Sequence, residues 1–439
     1  MSGPVPVLEG TAADGWVREL DRRGQDGVDD AVRAILREVR RGGDDALRRL
    51  TRRYDGVRPE ALRVPPERCR RALEELPAER RRALERAARN VERFHAAQRR
   101  EEARVEVEPG VTAWREFRPL DRVGAYVPGG RAPYPSSLVM VAVPARVAGC
   151  REIVACCPPG PDGEPPAAVR AAAALLEVDA LFAVGGAQAV AALAWGTETV
   201  PSVDKIVGPG SRWVNRAKLA VFGEVAVDLP AGPSEVLVWA DGGADPARAA
   251  LELLAQAEHG PDSLAVAVLP DADAAREVNR ALAPRLAGTP RREAAAEALE
   301  GSALLVAGAE ERGLGWVNRI AAEHLVILRD DPEAALADVR HAGSVFLGPD
   351  TPVAAGDYAS GTNHVLPTRG RARAAGGLSL DDFGTWLQVQ RMDRSGLEAL
   401  GPTVAELAGW EGFEAHAASV RERLADGAGP DGGDEGGTP

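Results

Sequence analysis

From about Asp14 to Arg104 the chain carries apolar residues at helical spacing, with Leu73, Leu76, Leu84 and Ala88 marking one stripe. The Arg and Glu between them predict charged, solvated outer faces, so this stretch reads as helical. Strand-like passages follow at Val105–Val107 and Val123–Val127. From Arg151 onward short apolar runs alternate with Ala-rich helical segments. Ile153–Cys157, Leu181–Val184 and Ile206–Val207 form one series, and Val236–Trp239, Leu264–Leu269, Leu304–Val306, Leu325–Leu328 and Val345–Leu347 form a second. Strands alternating with helices predict parallel sheets covered on both faces, and two series predict two doubly wound units. After Ser379 the pattern turns helical again, through Leu397–Leu407 and Phe413–Leu424. The last residues are Gly-rich and acidic, with nothing apolar to bury, and are expected to be disordered.

Apolar residues make up 45% of the 439, enough for large cores. The net charge of −13, from 53 basic and 66 acidic residues, favours solubility and lacks the basic bias of a nucleic-acid partner. No basic start leads into an apolar stretch, and runs such as Ser137–Val143 fall far short of the roughly 20 residues of a membrane span. Cys69, Cys150, Cys156 and Cys157 include no C-x-x-C pair, which argues against cysteine zinc sites and a disulfide framework. A cytoplasmic protein without nucleic-acid or membrane partners is the expectation.

The densest chemistry lies in DPARAALELLAQAEHGPDS, Asp245 to Ser263. Asp245 and Pro246 read as N-cap and first helical residue, and Gly260–Pro261 ends the helix. Gln256 and His259 then share one side of the last turn, where an amide oxygen and an imidazole suit a metal. His259 equally suits a cap of its own helix. Glu323–His324, just before the run Leu325–Leu328, is a carboxylate–imidazole pair of the general acid/base type, or a boundary pair. Asp357–Asn363 and His364 read as a polar loop after the last strand, where Asp357 is either a ligand or an Asx-turn. His416 follows Glu411 by five positions in the C-terminal helical part; alone, it reads as structural.

Glycine-rich turns form a second theme. Pro128–Gly129–Gly130, Gly185–Gly186 and Gly208–Pro209–Gly210–Ser211 each follow a strand-like run, and the latter two open helices. Exposed backbone N–H groups at such junctions suit phosphates. Gly427, Gly429 and Gly432 satisfy G-x-G-x-x-G formally, but neither a strand nor a helix frames them, so that match is accidental.

Taken together, VGAYVPGGRAPYPSSLVM, VGGAQAVAALAWGTETV, KIVGPGS, DLPAGPSEVLV, QAEHGPDS, AEHL, GDYASGTNHVLPT, GLSLDDF and EGFEAH resemble the histidinol dehydrogenase family, in the family's order and over roughly residues 15 to 420. The resemblance implies an NAD-dependent alcohol and aldehyde oxidoreductase that takes L-histidinol through L-histidinal to L-histidine, with one zinc per subunit and two NAD. It implies zinc on Gln256, His259, Asp357 and His416, and acid/base roles for Glu323 and His324. Ser234, His324 and Glu411 would contact substrate alongside the metal ligands, and Tyr126, Gln188 and Ser211 the cofactor.

The implied fold is two incomplete Rossmann-like doubly wound domains with small helical extensions at both ends. The expected division is an N-terminal helical arm (1–24), a first α/β domain (25–128 with 236–380), a second (129–235), a C-terminal helical segment (381–424) and a tail (425–439). A homodimer is implied, with each site completed by the partner's C-terminal segment. Three positions depart from the family's habit: Ser211 stands where Asn is usual, Arg369 where Gly is usual, and Val141 where Asn is frequent. The alternatives are a related zinc and NAD dehydrogenase acting on another small alcohol or diol, and a zinc hydrolase or non-catalytic metal-binding protein. The last leaves Glu323–His324 and the Gly turns idle.

Overall fold

The computed structural model describes residues 3–20, 29–129, 132–228 and 232–425. In chain order the N-terminal part contains β1 (Val7–Glu9), α1 (Gly10–Leu20), α2 (Asp29–Asp55), α3 (Pro66–Glu74) and α4 (Ala78–Ala96), then β2 (Val105–Glu108) and β3 (Val111–Pro119). The middle follows with β4 (Arg122–Tyr126), α5 (Pro135–Ala148), β5 (Glu152–Cys157), α6 (Ala167–Leu175), β6 (Ala180–Ala183), α7 (Gly186–Trp195), β7 (Lys205–Val207), α8 (Arg212–Val221) and β8 (Ala226–Val227). Next come β9 (Glu235–Ala240), α9 (Pro246–Ala257), β10 (Leu264–Leu269), α10 (Ala272–Gly288), α11 (Arg292–Glu300), β11 (Ala303–Val306), α12 (Glu310–Ile320), β12 (His324–Leu328), α13 (Pro332–Ala337), β13 (Ser344–Leu347) and α14 (Val353–Tyr358). Last are β14 (Gly384–Met392), α15 (Arg394–Trp410) and α16 (Glu414–Ala425). The expected disordered tail lies outside the described residues, apart from Ala425 at the end of α16.

Two compact units result: Met1–Arg99 with Pro119–Phe383, and Arg100–Arg118 with the chain from Gly384 onward. The first unit holds two wholly parallel sheets, in the orders β6-β5-β4-β7-β8 and β1-β11-β10-β9-β12-β13. Counted from β4 and from β9, both sheets run 3-2-1-4-5, a Rossmann order that stops one strand short. Helices cover both faces, so the strands are apolar along their whole length; every residue of β9 and β12 is buried. Alternate residues serve opposite cores: Ile153, Ala155 and Cys157 of β5 pack on one face, Val154 and Cys156 on the other.

Three features differ from the sequence-based division. The first residues of the N-terminal arm form a strand, β1, paired with Leu304–Val306. The outer edge of β11 presents unpaired backbone groups, and Leu304 donates its N–H to Pro6 O at 2.8 Å. Residues 29–128 belong with the five-stranded sheet: β4 is its central strand, and α2, α3 and α4 pack on α7, α6 and α5. The C-terminal segment is not all helix, because β14 joins β3 and β2 in a three-stranded sheet of the second unit. There α15 is capped by Asp393, which accepts the Gly396 N–H at 2.9 Å.

Candidate active site

Helix α9 starts as its sequence dictates, with the Asp245 side chain accepting the Ala247 N–H at 2.8 Å and Pro246 at the first helical position. Its last turn and the turn that follows place Gln256 and His259 on the wall of a cavity of about 1030 Å³. Asp357 lines the same cavity, as do the α3–α4 region and residues 132–136 that follow β4. Asp357 was expected on a loop; it sits instead in the last turn of α14. Val353 packs into the core beneath this short helix, and Asp357 O lies 2.8 Å from His364 Nδ1. A carbonyl only accepts, so that nitrogen of His364 carries the proton.

Glu323 and His324 stand where β12 begins, beside the start of β9, with His324 in register with Val236. The Ser234 hydroxyl and the Glu235 backbone hold both residues. Glu323 Oε2 accepts from Ser234 Oγ at 2.6 Å and from the Glu235 N–H at 2.9 Å. His324 Nδ1 lies 3.0 Å from Glu235 O and must donate to it, which leaves Nε2 as the unprotonated atom. That atom is buried, lacks a hydrogen-bond partner among the described residues, and lies 3.7 Å from Asp357 Oδ1. Burial keeps the His324 imidazole below its ordinary range, so it is neutral at neutral pH. Burial pushes the Glu323 carboxyl up to about 8 against the pull of its two donors. Burial, and then the charge of Glu323, raise Glu235 to about 7. Neither Glu323 nor His324 is on the wall of the cavity. The pair sits at the amino ends of β9 and β12, opposite the strand ends where α/β sheets ordinarily bind ligands.

One imidazole (His259), one carboxylate (Asp357) and one amide (Gln256) share the cavity wall. The Gln256 amide is buried and its Nε2 has no hydrogen-bond partner among the described residues. A buried amide left in that state suits a missing polar partner. Among the described residues no three His, Cys, Asp or Glu side chains form a metal cluster. The donors fit a nitrogen- and oxygen-liganded dication, one ligand short of tetrahedral. The expected fourth ligand, His416, and Glu411 belong to the second unit, Glu411 closing α15 and His416 in the first turn of α16. Both are exposed, on a surface with Trp410 at 84% and Phe413 at 54% exposure, and the His416 ring lies 5.3 Å from that of Phe413.

The five-stranded sheet places the expected cofactor residues at its carboxyl ends. Tyr126 closes β4, and its buried hydroxyl accepts the Gly186 N–H at 3.1 Å. Gln188 is buried in the first turn of α7, and Ser211 caps α8 without a side-chain hydrogen bond. Tyr126 and Gly208–Ser211 flank the β4/β7 boundary, where the strand order reverses. At Gly208, with φ of 126°, a Cβ would fall 2.1 Å from Tyr126 O. Buried Asp228 accepts the Gly208 N–H at 2.6 Å, and Lys218, 1% exposed, bonds both Gly208 O and Asp228. Sequence reasoning passed over this pair, although Lys218 interrupts the apolar stripe Val214, Ala217, Val221 of α8. It also passed over Glu235, an acid opening the buried run of β9. Of the departures, Arg369 occupies φ of 54°, the left-handed region that favours glycine.

The sequence model of the histidinol dehydrogenase family matches residues 19–424. The histidinol dehydrogenase of Methanothermobacter thermautotrophicus is 49% identical over 413 residues, covering 94% of this chain and 93% of its own. That of Vibrio parahaemolyticus is 44% identical over 85% of this chain and 86% of its own. The crystal structure of histidinol dehydrogenase from Elizabethkingia anophelis superposes with a TM-score of 0.93 at 35% identity, covering 98% of this chain and all of that one. Sequence and fold agree, and the chain belongs to the histidinol dehydrogenase family.

Proposed function

We propose that this protein oxidises L-histidinol to L-histidine through L-histidinal, a four-electron reaction with one zinc per subunit and two NAD. The observation that carries the reading is the Glu323–His324 pair, locked by Ser234 and Glu235 and facing Asp357 through His324 Nε2. Zinc would be held by Gln256, His259 and Asp357 with the partner subunit's His416, and supplies a Lewis acid that orients the amino alcohol; NAD supplies the hydride acceptor. Tyr126, Gln188 and Ser211 are the residues assigned to the cofactor.

Each oxidation removes a hydride from carbon and a proton from oxygen. In the first, His324 Nε2 takes the hydroxyl proton; its neutral state and free lone pair suit that role. In the second, water adds to the aldehyde while Glu323 in its ionised form, the minority state below about 8, takes its proton, and His324 assists removal of the hydrate's proton. A carboxyl poised near neutral exchanges protons with little cost. Ser234, Glu411 and the ligands position the substrate, and the enclosing walls keep the aldehyde from side reactions.

The exposed face with Trp410, Phe413, Glu411 and His416, and a donor set one ligand short, support a homodimer whose sites are completed by the partner. Membership of a family of biosynthetic enzymes supports a cytoplasmic location; among the described residues no helix is long and apolar enough to cross a membrane. The test is NADH stoichiometry with L-histidinol. Two NADH per substrate are expected; one, with aldehyde accumulating, overturns the four-electron reading.

A further inference from the structure

Glu252 belongs to none of the groups above. It lies on α9 one turn before Gln256, so those two side chains share one helix face, and both line the cavity with His259, just past the helix end, and Asp357. Its Oε2 accepts the N–H of Val353 at 3.2 Å. Val353 is the first residue of α14, the six-residue helix that carries Asp357 in its last turn. The residue before it, Pro352, gives that helix no side-chain cap, so the first-turn N–H relies on a carboxylate from another helix. The far end is tied separately, through His364 Nδ1 and Asp357 O. Removing the Glu252 bond should therefore loosen α14 and leave it docked.

We infer that Glu252 is a positioning residue that ties α14 to α9 and thereby fixes Asp357 relative to Gln256 and His259. The inference rests on the zinc reading for its consequence and on the hydrogen bond for its mechanism. Carboxylates behind metal ligands typically govern metal affinity by 10–100-fold, because they fix the orientation the metal selects. Here the carboxylate acts on the ligand's helix rather than on the ligand.

The test uses the full chain, with Glu252→Ala and Glu252→Gln compared in two measurements. Amide exchange across 353–358 in zinc-stripped protein reads the tie directly, and chelator competition reads zinc affinity. Glu252→Ala should speed exchange in α14 and weaken zinc by roughly 10–100-fold. Glu252→Gln keeps an oxygen for the Val353 N–H and should stay close to wild type in both. Wild-type exchange in Glu252→Ala overturns the inference, as does a Glu252→Gln variant as impaired as the alanine, which would assign the effect to charge. Should Glu252→Ala fail to fold, Glu252→Met fills a similar volume without an oxygen for the Val353 N–H, and should reproduce the fast exchange. A wild-type protein that takes no zinc sinks the zinc reading, while the exchange data still decide the tie.

Discussion

The backbone N–H of Arg369 donates to both carboxylate oxygens of Glu235 at 3.0 Å, from a residue held at φ of 54°. Glu235 in turn gives its own N–H to Glu323 and its carbonyl to His324. A strained backbone position thus anchors the residue that orients both members of the proposed acid/base pair. Left-handed backbone costs a non-glycine residue roughly 1–2 kcal/mol, and more when it is β-branched. Arg369→Gly should accordingly fold at least as stably as wild type and keep its activity. Arg369→Val should be less stable than wild type in denaturant titration, because β-branching adds to a cost that Arg369 already carries, and lose turnover as well. A valine variant with wild-type stability and rate would break the link.

The raised carboxyl of Glu323 carries a sign for stability. Its folded value near 8 lies above the ordinary 4.5, so the folded state binds the extra proton. Stability from this group is full below about 4.5 and is lost as pH rises towards and through 8, with Glu235 acting in the same direction up to about 7. In metal-free protein Glu323→Gln should remove most of this loss, and so be more stable than wild type at pH 9 by several kcal/mol, up to about 5. Melting temperatures across the pH range decide it; a variant that loses stability with pH as steeply as wild type is the contrary outcome.

Kinetics separate the two residues. Glu323→Gln should slow oxidation of the aldehyde far more than that of the alcohol, because only the second step activates water. His324→Asn should slow both, by about 10²–10⁴-fold, the usual worth of a positioned base. Small, equal losses on both substrates would make the pair structural.

The parallel sheets are legible in the sequence because strands buried on both faces must be apolar throughout, and runs such as Leu264–Leu269 have no other reading at that length. The N-cap Asp245 is legible for a similar reason, since capping is local chemistry. β1 is not: three residues, Val-Leu-Glu, carry no period, and only the waiting edge of β11 makes them a strand. Nor is the helix under Asp357, whose six residues include Gly356 and are held by core packing of Val353 and by a carboxylate 101 positions away. The meeting of Ser234, Glu323 and His324 depends on β9 and β12 being neighbours, a fact of topology that spacing along the chain does not encode. Their assignment as site residues came from the family's motifs.

The Lys218–Asp228 pair tests whether the Gly208 turn matters to the cofactor. Removing one member leaves a buried charge unpaired and costs roughly 3–5 kcal/mol. Lys218→Met should therefore destabilise by about that amount. In protein kept folded at low temperature it should raise KM for NAD with little change in KM for L-histidinol. Equal changes in both constants would show that the pair supports the fold without shaping the cofactor turn.

The shared site can be tested with two inactive chains. Glu411 and His416 belong to the second compact unit, and every other assigned residue belongs to the first. If a site takes Glu323 from one subunit and His416 from the partner, Glu323→Gln and His416→Ala homodimers are each dead at both sites. Unfolded together in equal amounts and refolded with zinc, about half of the dimers should be mixed by random pairing. In a mixed dimer one site combines the intact Glu323 of one chain with the intact His416 of the other, and the second site carries both lesions. Recovered activity should thus approach about a quarter of that of wild type treated in the same way. Sites built within single chains would all carry one lesion in any mixture. Refolded, zinc-loaded mixtures that contain heterodimers by mass spectrometry but recover no activity would rule out the shared site.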